Sequence, residues 1–577
     1  MNTTTRTSSP LQHLVTIAII LLLATTARAA TLFTVNQSPV FVHSTSGMLL
    51  ASVPQQWFGS TVTATITGVD AQVLSIDGTP LPPGGEFTFE NISASKSWQV
   101  TCSSEHNGNC TYSLQFTFLP IVALQGDIGY DYAASTVTLA EPGLPLGEVM
   151  KANIRWRGQS TNTPDKHKRN YNIKLVDDSG NKLNRSLLGM RRDNHWILDA
   201  AQADMARVRN RVATELWLDM AHEPYYYNQA PDALTGVRGK MVELFLGNDY
   251  RGIYSLTEAI DRKQLQLVKH DTINNVFHGG LWKTNKFNEA SGFRWAEQFN
   301  DSLPEYCNFE TKYPELDEVF PTSYQVLYDA INAIAWAETV EEFNNVAGNY
   351  IDMPVAIDYT IFYLTLNASD NSAKNIHWLV YDRAVDPRLS IAVWDLDATA
   401  GGSWSPSEWR PPITAHDYFK QPYNWVFKML FHNRCIYRQQ FLDRYDQLRA
   451  TWLSEQSLVQ RYTTAIDRLI ACGAATREQD RWNGDTDLYG HPLDLASERD
   501  YIVQWFKQRL PLLDVWMHHH LCDVNNDGHV TAADITVIYN HLLADDAAPY
   551  TDLLDTNFDG SITAADITAI YNHLLDN

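Results

Sequence analysis

The segment "LTLNASDNSAKNIHWLVYD", Leu364 to Asp382, places a polar island between two apolar runs. The flanking runs have the apolar and aromatic content of buried elements, whereas Asn, Asp and Ser favour loops and turns. Within the island, Asp370 and Asn375 stand five positions apart. The island is therefore either an Asx-rich connection or a loop that carries chemistry, and the segments around it help to decide between the two.

A second acidic motif, "IAVWDLDATAGG", begins at Ile391, and its apolar run ends in Asp395 and Asp397. Phosphoryl transfer needs a carboxylate that accepts the proton of the acceptor hydroxyl, and oxygen ligands that hold Mg²⁺ against the phosphates. Protein kinases place a base Asp and a metal-binding Asn five positions apart in one loop, and a further metal-binding Asp later in the chain. The order of Asp370, Asn375 and Asp395 matches this arrangement and favours a catalytic loop.

A basic stretch lies upstream in an otherwise acidic chain. "IRWRGQSTNTPDKHKRNYNIKL" starts at Ile154 and contains Arg or Lys at positions 155, 157, 166, 168, 169 and 174. Such a cluster around a Gly-Gln-Ser-Thr turn suits phosphate, because cationic side chains and turn amides both bind phosphate oxygens. A solvated positive face is the alternative. Further on, "VELFLGNDYRGIYSLTEAID" predicts a hairpin with a "GND" turn, followed by Glu258.

These segments, together with "HWILDAAQADMARVRNRVATEL", resemble the spore-coat CotH protein kinase family. The resemblance runs in order from about Met150 to Gly402, and we expect it to continue to about His520. It implies an atypical α+β protein-kinase-like core with two lobes. It also implies that ATP is used with Mg²⁺ or Mn²⁺ to phosphorylate Ser or Thr of a surface or assembly protein.

The resemblance also implies roles for individual residues of this sequence. It makes Asp370 the catalytic base and Asn375 and Asp395 the metal ligands, with Asp397 assisting. The expected nucleotide contacts are Arg157, Lys168 and Lys174 at the phosphates and Glu258 near the nucleotide base or the hinge between the lobes. The positions between Asp370 and Asn375 are expected to serve loop geometry only.

The C-terminal part of the chain is an internal repeat. "DVNNDGHVTAADITVIYNHLL" begins at Asp523 and "DTNFDGSITAADITAIYNHLL" at Asp555, with 16 of 21 positions identical. Each copy has oxygen-bearing side chains at loop positions 1, 3, 5, 9 and 12 and Gly at position 6, a pattern that suits a hard cation such as Ca²⁺. An Asx-rich turn without metal is the alternative, and two copies in register argue against it. The predicted Ca²⁺ ligands, with position 7 acting through its carbonyl, are Asp523, Asn525, Asp527, His529, Thr531 and Asp534 in the first loop and Asp555, Asn557, Asp559, Ser561, Thr563 and Asp566 in the second.

The repeats resemble a type I dockerin rather than an EF-hand, because position 12 is Asp and the only clear helix is the one that leaves each loop. The resemblance implies a cohesin-bearing scaffold or surface protein as partner. Loop positions 10 and 11, where the dockerin family includes a Ser/Thr pair, are Ala532-Ala533 and Ala564-Ala565, so the type of cohesin stays open.

Charge and the N-terminal segment indicate an exported protein. The formal net charge of −23 repels nucleic acid, which we exclude as a partner. The apolar core from Leu14 to Ala24 is too short for a membrane-spanning helix, which needs about 20 residues. Followed by Ala27-Arg28-Ala29, it predicts a signal peptide cut after Ala29. No later segment has 18 uninterrupted apolar residues, so we expect a secreted or surface-associated mature chain without a membrane span.

The predicted organisation is a signal peptide over 1–29, a β-rich, sandwich-like module over 30–120, the kinase-like domain over 121–520, and over 521–577 a small α-helical dockerin with two EF-hand-like calcium loops. Cys102 and Cys110 close a short loop in the β-rich module, and whether they form a disulfide stays open.

Three functions fit this organisation to different degrees. The first is an exported protein kinase tethered through the dockerin. The second is a catalytically silent, kinase-like binding or assembly protein of a cellulosome-like or surface complex. The presence of Asp370, Asn375 and Asp395 together favours the kinase, since a scaffold has no chemical need for all three. The third is a carbohydrate hydrolase, which is suggested only because dockerins usually accompany such enzymes. The sequence by itself places no pair of catalytic carboxylates.

Overall fold

The computed structural model describes residues 31–104, 108–158, 160–298, 305–315, 323–411, 413, 435–518, 522–525, 527, 529–544, 554–557 and 561–576. The predicted signal peptide, 1–29, lies outside the described residues. The chain divides into two compact units. Unit 1 takes the described parts of Met1–Ala200, Lys240–Leu256 and Leu469–Arg481, and unit 2 takes those of Ala201–Gly239, Thr257–Arg468 and Trp482–Asn577.

The described residues contain ten α-helices, most of them in the second half of the chain, where the spacing of apolar residues predicts amphipathic helices. The helices are α1 (Arg209–Met220), α2 (Gln325–Ala335), α3 (Val340–Tyr350), α4 (Met353–Leu366), α5 (Ile436–Arg449), α6 (Glu455–Ala471), α7 (Ala474–Trp482), α8 (Leu495–His518), α9 (Ala532–Ala544) and α10 (Ala564–Asp576). Among these residues, no helix combines the length and the apolar character that crossing a membrane requires.

Two helices differ from the sequence prediction for local reasons. The apolar periodicity of "PTSYQVLYDAINAIAWAETV" predicts one helix, but its described part contains α2 and then the first residue of α3, because Thr339 starts a new helix. The Thr339 hydroxyl accepts a hydrogen bond from the Glu342 amide, and the Glu342 carboxylate accepts one from the Thr339 amide, which is a capping box. The helix predicted from "ADMARVRNRVATELWLDMA" begins only at Arg209, because the Asp204 carboxylate accepts bonds from the amides of Ala206 and Arg209.

The N-terminal part of unit 1 is a nine-stranded sheet with the strand order β6-β5-β8-β9-β3-β2-β1-β4-β7. Thr- and Val-rich stretches such as Val62–Gly68 form strands of this sheet, and the predicted β-rich region is confirmed. Cys102 lies directly opposite Cys110 in the antiparallel pair of β8 and β9. The strands are β1 (Thr31–Val35), β2 (Ser38–His43), β3 (Met48–Ser52), β4 (Val62–Gly68), β5 (Gln72–Ile76), β6 (Thr79–Pro80), β7 (Glu86–Phe89), β8 (Trp98–Ser104) and β9 (Gly108–Thr117).

The second sheet of unit 1 is a closed barrel with the order β10-β11-β12-β13-β16-β18-β17. Its last two strands form the predicted hairpin, in which Gly247 has a φ of 57° that glycine adopts without strain. The barrel strands are β10 (Ile121–Gln125), β11 (Ala133–Ala140), β12 (Met150–Arg157), β13 (Asn170–Leu175), β16 (His195–Asp199), β17 (Gly239–Leu246) and β18 (Asp249–Thr257), and β14 (Arg185–Ser186) pairs separately with β15 (Arg192–Asp193).

Unit 2 contains a five-stranded sheet with the order β20-β21-β19-β22-β23. Its strands are β19 (Gly280–Thr284), β20 (Glu305–Tyr306), β21 (Phe309–Tyr313), β22 (Ile376–Val380) and β23 (Ser390–Val393). All residues of β22 and β23 are buried, as is nearly all of α4, which precedes them. The polar island therefore connects two buried elements, α4 and β22, and its last residues lie at the start of β22.

Candidate functional site

The polar island connects the end of α4 to the start of β22. The helix ends at Leu366, and the capping residue Asn367 adopts the left-handed conformation (φ 56°) that Asn tolerates at helix ends. β22 and β23 are antiparallel, and Ile376 pairs with Val393. Asn375 directly precedes the first of these residues, and Asp395 follows the second by two positions. Strand pairing therefore brings Asn375 and Asp395 to the same end of one hairpin.

Asp370 and Asn375 are in direct contact. The Asn375 Nδ2 donates to Asp370 Oδ2 at 2.6 Å, and the Lys374 ammonium lies 2.7 and 2.8 Å from the two carboxylate oxygens of Asp370. The Asp370 side chain keeps 17% of its surface exposed. Because the nitrogen of the Asn375 amide is directed to Asp370, the amide oxygen points elsewhere and is available as a ligand for a hard cation.

Both predicted metal ligands on the hairpin have left-handed backbones. Asn375 has a φ of 52° and Asp395 a φ of 61°. Asn and Asp visit this region more readily than other residues with a side chain, but it is unfavourable and persists only where surrounding contacts determine it. Two such residues at one hairpin end mark a locally strained site, and strain of this kind clusters at functional sites.

Asn371, for which the sequence predicts a role in loop geometry only, links the two halves of the site. Its Nδ2 donates to the carbonyl oxygens of Trp394 at 2.8 Å and of Asn375 at 3.3 Å. Its own carbonyl accepts from the Tyr359 hydroxyl at 2.6 Å. The buried Asn371 Oδ1 has no hydrogen-bond partner within the described chain. The carboxylate and amide oxygens here are a donor set that fits Mg²⁺ or Mn²⁺, with Asn375, Asp395 and Asp397 as the candidate ligands.

A buried ionic network lies beneath the loop that follows Asp395. The guanidinium of Arg209 contacts Asp204 at 2.7 Å and Glu498 at 3.0 Å, with all three side chains almost fully buried, and its Nε donates to the carbonyl of Ala400 at 3.4 Å. Burial by itself lowers the pKa of the guanidinium, but the two carboxylates outweigh it and raise that pKa above its usual range. Arg209 is therefore charged and supports the loop backbone.

The predicted phosphate contacts lie in unit 1. On the barrel, Arg157 is opposite Asn170 and Lys174 is opposite Asn153, so the two basic residues stand four positions apart along the β12–β13 ladder. At about 3.3 Å per residue this is roughly 13 Å. The Lys174 ammonium lies 4.8 Å from the centre of the Tyr132 ring, and the Arg155 guanidinium lies 4.7 Å from it. The basic stretch is thus spread along the barrel rather than gathered at one point.

Lys168 is buried, with 2% of its side chain exposed, and pairs with the fully buried Glu478 at 2.9 Å. Its ammonium also donates to the carbonyls of Ala200 at 2.7 Å and Ile253 at 2.6 Å, while Glu478 Oε2 accepts from the Ile253 amide at 2.7 Å. Glu478 belongs to α7, so the pair joins this helix to the barrel. The sequence alone offered no signal for this partner, which stands more than 300 positions away.

Glu258, in unit 2, is fully buried and bound by Arg238. The Arg238 side chain donates to both carboxylate oxygens, with the shortest contact 2.7 Å, and its backbone amide donates to Oε2 at 3.1 Å. Gln264 Nε2 donates to the same oxygen at 3.3 Å. Glu258 is thus held rigidly where the chain leaves β18.

The two repeat loops close in the same way. In the first, Asp534 accepts from the amides of Asn525 at 3.1 Å and Thr531 at 2.8 Å. In the second, Asp566 accepts from the equivalent amides, of Asn557 at 3.2 Å and Thr563 at 2.7 Å. The carboxylates at loop positions 1 and 12 are buried in both copies, namely those of Asp523, Asp534, Asp555 and Asp566. Buried like-charged carboxylates need a cation or a proton for compensation, so the donor set fits Ca²⁺. Of the predicted ligands, Asp559 lies outside the described residues.

Comparison with known proteins assigns both regions. The family model described as CotH kinase protein matches residues 154–513, and the model of the dockerin type I domain matches residues 521–575. No curated protein matches this chain at the level required for a relative. The first match covers more than half of the chain and includes the polar island, the hairpin end with Asp395, and α7.

Proposed function

The chain belongs to the CotH kinase protein family and carries a type I dockerin domain, and on this premise we propose that it is an exported protein kinase held at a surface or assembly by its dockerin. It transfers the γ-phosphoryl group of ATP to a Ser or Thr hydroxyl of a protein. The observation that supports this proposal best is the single hairpin end that carries Asp370, Asn375 and Asp395.

Each residue at the hairpin end has one task in the proposed reaction. Asp370 accepts the proton of the attacking hydroxyl, and the partly exposed carboxylate allows a substrate to reach it. Asn375 and Asp395 hold a divalent cation through oxygen atoms, with Asp397 as a further ligand. When bound, Mg²⁺ or Mn²⁺ offsets the charge that the phosphates carry. The Asn375–Asp370 hydrogen bond couples the position of the base to that of the ligand.

Lys374 is an additional member of this site. Its ammonium is bound to both oxygens of Asp370, so it holds the carboxylate in one orientation and adds positive charge beside the base. A cation at this position also favours the approach of a phosphorylated nucleotide. Lys374 is therefore proposed as a positioning residue of the base.

The Lys168–Glu478 ion pair supports a kinase in a different way. Protein kinases require a Lys–Glu pair between a strand region and a helix of the nucleotide-binding lobe. Here the pair joins the barrel to α7 and is buried on both sides. The Lys168 ammonium is buried and engaged by Glu478, Ala200 and Ile253, so we assign the pair the task of supporting the barrel from which phosphate contacts are made. Arg157 and Lys174 are the proposed phosphate contacts, and Glu258 is proposed near the nucleotide base or the hinge.

The dockerin gives the enzyme its location. The two repeat loops would each hold one Ca²⁺ ion through their Asp and Asn side chains, and the helices that follow would present the surface for a cohesin. A cohesin-bearing scaffold or cell-surface protein would place the kinase beside the proteins it modifies. Tethering raises the local concentration of substrate without any new contact at the active site.

The decisive experiment measures label transfer from γ-labelled ATP, by the purified chain with Mg²⁺ or Mn²⁺, to itself and to Ser/Thr-containing proteins. We expect Asp370→Ala to lower the rate by about 10²–10⁴-fold, the contribution of a positioned general base. Asp178→Ala, which removes an exposed carboxylate of unit 1, is the matched control and should leave the rate unchanged. Absence of transfer by the wild type with either metal would favour the silent, kinase-like binding protein instead. Unchanged transfer by Asp370→Ala would overturn Asp370 as the catalytic base.

A further inference from the structure

Asp395 is flanked by two peptide groups, and each is bound by the side chain of an asparagine from elsewhere in the chain. We infer that Asn371 and Asn210 are positioning residues that hold Asp395 in its left-handed conformation and so build the divalent-cation site. The inference rests on the proposed function, because it concerns the cation that Asp395 is proposed to bind. Neither asparagine was singled out by the sequence patterns.

Asn371 binds the peptide group on the N-terminal side of Asp395. Its Nδ2 donates to the carbonyl of Trp394 at 2.8 Å, and the same nitrogen reaches the carbonyl of Asn375 at 3.3 Å. The side chain is fully buried. One amide group therefore ties the backbone before Asp395 to the backbone of the second proposed ligand.

Asn210 binds the peptide group on the C-terminal side. The amide of Leu396 donates to Asn210 Oδ1 at 3.1 Å. Asn210 stands in the first turn of α1, next to Arg209, whose guanidinium is fixed between Asp204 and Glu498. The helix start is therefore a rigid support, and the Leu396 amide lies between the two proposed acidic ligands, Asp395 and Asp397.

The two bonds act on the two dihedral angles of one residue. The orientation of the Trp394–Asp395 peptide plane relative to the Asp395–Leu396 plane is set by φ and ψ of Asp395. Fixing one plane through its carbonyl and the other through its amide fixes both angles. Since a left-handed Asp is unfavourable by itself, loss of either bond lets the residue relax toward φ below zero and turns its carboxylate away from the position of Asn375.

The experiment measures the binding of Mn²⁺ alone, by titration with detection of free Mn²⁺ by electron paramagnetic resonance. The full chain carries Asp534→Ala and Asp566→Ala in every variant so that the repeat loops do not contribute. Asp395→Ala defines the site. We expect Asn371→Ala and Asn210→Ala each to weaken Mn²⁺ binding by about 10–100-fold, the usual effect of removing a residue that orients a metal ligand.

Substitution by aspartate distinguishes the two asparagines. Asn210 acts as an acceptor, so Asn210→Asp should retain Mn²⁺ affinity within a few-fold of the parent chain. Asn371 acts as a donor toward two carbonyls, so Asn371→Asp should be at least as damaging as Asn371→Ala. A general loss of packing would not produce this opposite pattern.

Asn332→Ala is the matched control for stability. Asn332 is buried in the same unit and binds both the amide and the carbonyl of Ala296, at 3.2 and 3.4 Å. It should lower the melting temperature without changing Mn²⁺ affinity. If Asp395→Ala abolishes binding while Asn371→Ala and Asn210→Ala bind as tightly as the Asn332→Ala control, the inference is overturned and the proposed metal site stands. If Asp395→Ala leaves Mn²⁺ binding unchanged, the metal site and the inference both fail.

Discussion

The hairpin end that carries Asp395 and the repeat loops at the C-terminus are both rich in Asp and Asn, yet they are held in different ways. In the first repeat, Asp534 closes the loop by accepting bonds from amides nine and three positions earlier, and Asp566 does the same in the second. At the hairpin end, the Leu396 amide is bound by a side chain 186 positions away, and Arg209 meets a carboxylate 289 positions away.

This difference separates two kinds of site. A loop whose hydrogen bonds join residues within a dozen positions of one another keeps its conformation independently of distant segments. Such a loop can be duplicated in the sequence, as the repeat shows. A loop held by distant residues depends on the packing of the whole unit and is damaged by substitutions far from it in sequence. Three sets of substitutions test this difference.

The largest effect is expected from Arg209→Leu. The substitution leaves Asp204 and Glu498 buried without their cation, and breaking a buried pair in this way lowers the free energy of unfolding by about 3–5 kcal/mol. Denaturant unfolding of the full chain, followed by tryptophan fluorescence, measures this loss. Arg499→Ala, next to Glu498 on α8, removes a partly exposed arginine that also contacts two carboxylates, and it should change stability by at most about 1 kcal/mol. Equal losses of stability in the two variants would show that the buried contacts of Arg209 do not support the loop that follows Asp395.

An intermediate effect is expected from Gly401→Ala. Gly401 has a φ of 76°, and an added Cβ would lie 2.6 Å from Cδ1 of the buried Trp505. The left-handed backbone and the overlap together should lower the free energy of unfolding by about 2–4 kcal/mol. Gly484→Ala has a similar φ of 81° with open space around the new Cβ, so only the backbone contribution of about 1 kcal/mol remains. The same denaturant measurement compares them, and a Gly401→Ala variant as stable as Gly484→Ala would rule out tight packing under the loop.

The smallest effect on the whole chain is expected from the repeat loops. Asp534→Ala and Asp566→Ala should each reduce the number of Ca²⁺ ions bound from two to one, by similar amounts, because the loops close identically. At a Ca²⁺ concentration 100 times the dissociation constant, each lost ion removes about 2.7 kcal/mol of stabilisation from the dockerin alone. Isothermal titration calorimetry measures the stoichiometry, and Thr536→Ala, on the exposed face of α9, is the control. Loss of both ions in one single variant would show that the loops are not independent.

The fold was predictable where local patterns suffice. The β-rich N-terminal region, the β17–β18 hairpin and the helical second half follow from residue periodicity and turn residues, and the family matches agree with the resemblance that the motifs carry. The capping box at Thr339 could also have been found in the sequence, since Thr followed three positions later by Glu is its signature.

The candidate site was predictable only in part. The spacing of Asp370 and Asn375 and the later Asp395 pointed to segments that the hairpin brings to one end, but Lys374 and Asn371 lie between Asp370 and Asn375 without any distinctive pattern. Their importance comes from which atoms they meet: both oxygens of Asp370 for the first, and the Trp394 carbonyl for the second. The sequence also did not predict that Lys168 pairs with Glu478 on α7, because the spacing of residues along the chain carries no information about contacts between distant segments.

The amino-acid sequence alone predicts the two Asx-rich repeat loops, the short strands and helices, and the order of acidic residues that suits phosphoryl transfer. These features depend on residue types within a few positions of one another. The tertiary structure alone decided that Asn210 and Asn371 would meet the two peptide groups beside Asp395, and that Arg209 would be buried between two carboxylates beneath the same loop. Burial removes polar groups from water, so each of them needs a hydrogen-bonding partner within the protein. Tertiary packing, rather than spacing along the chain, determines which partner that is.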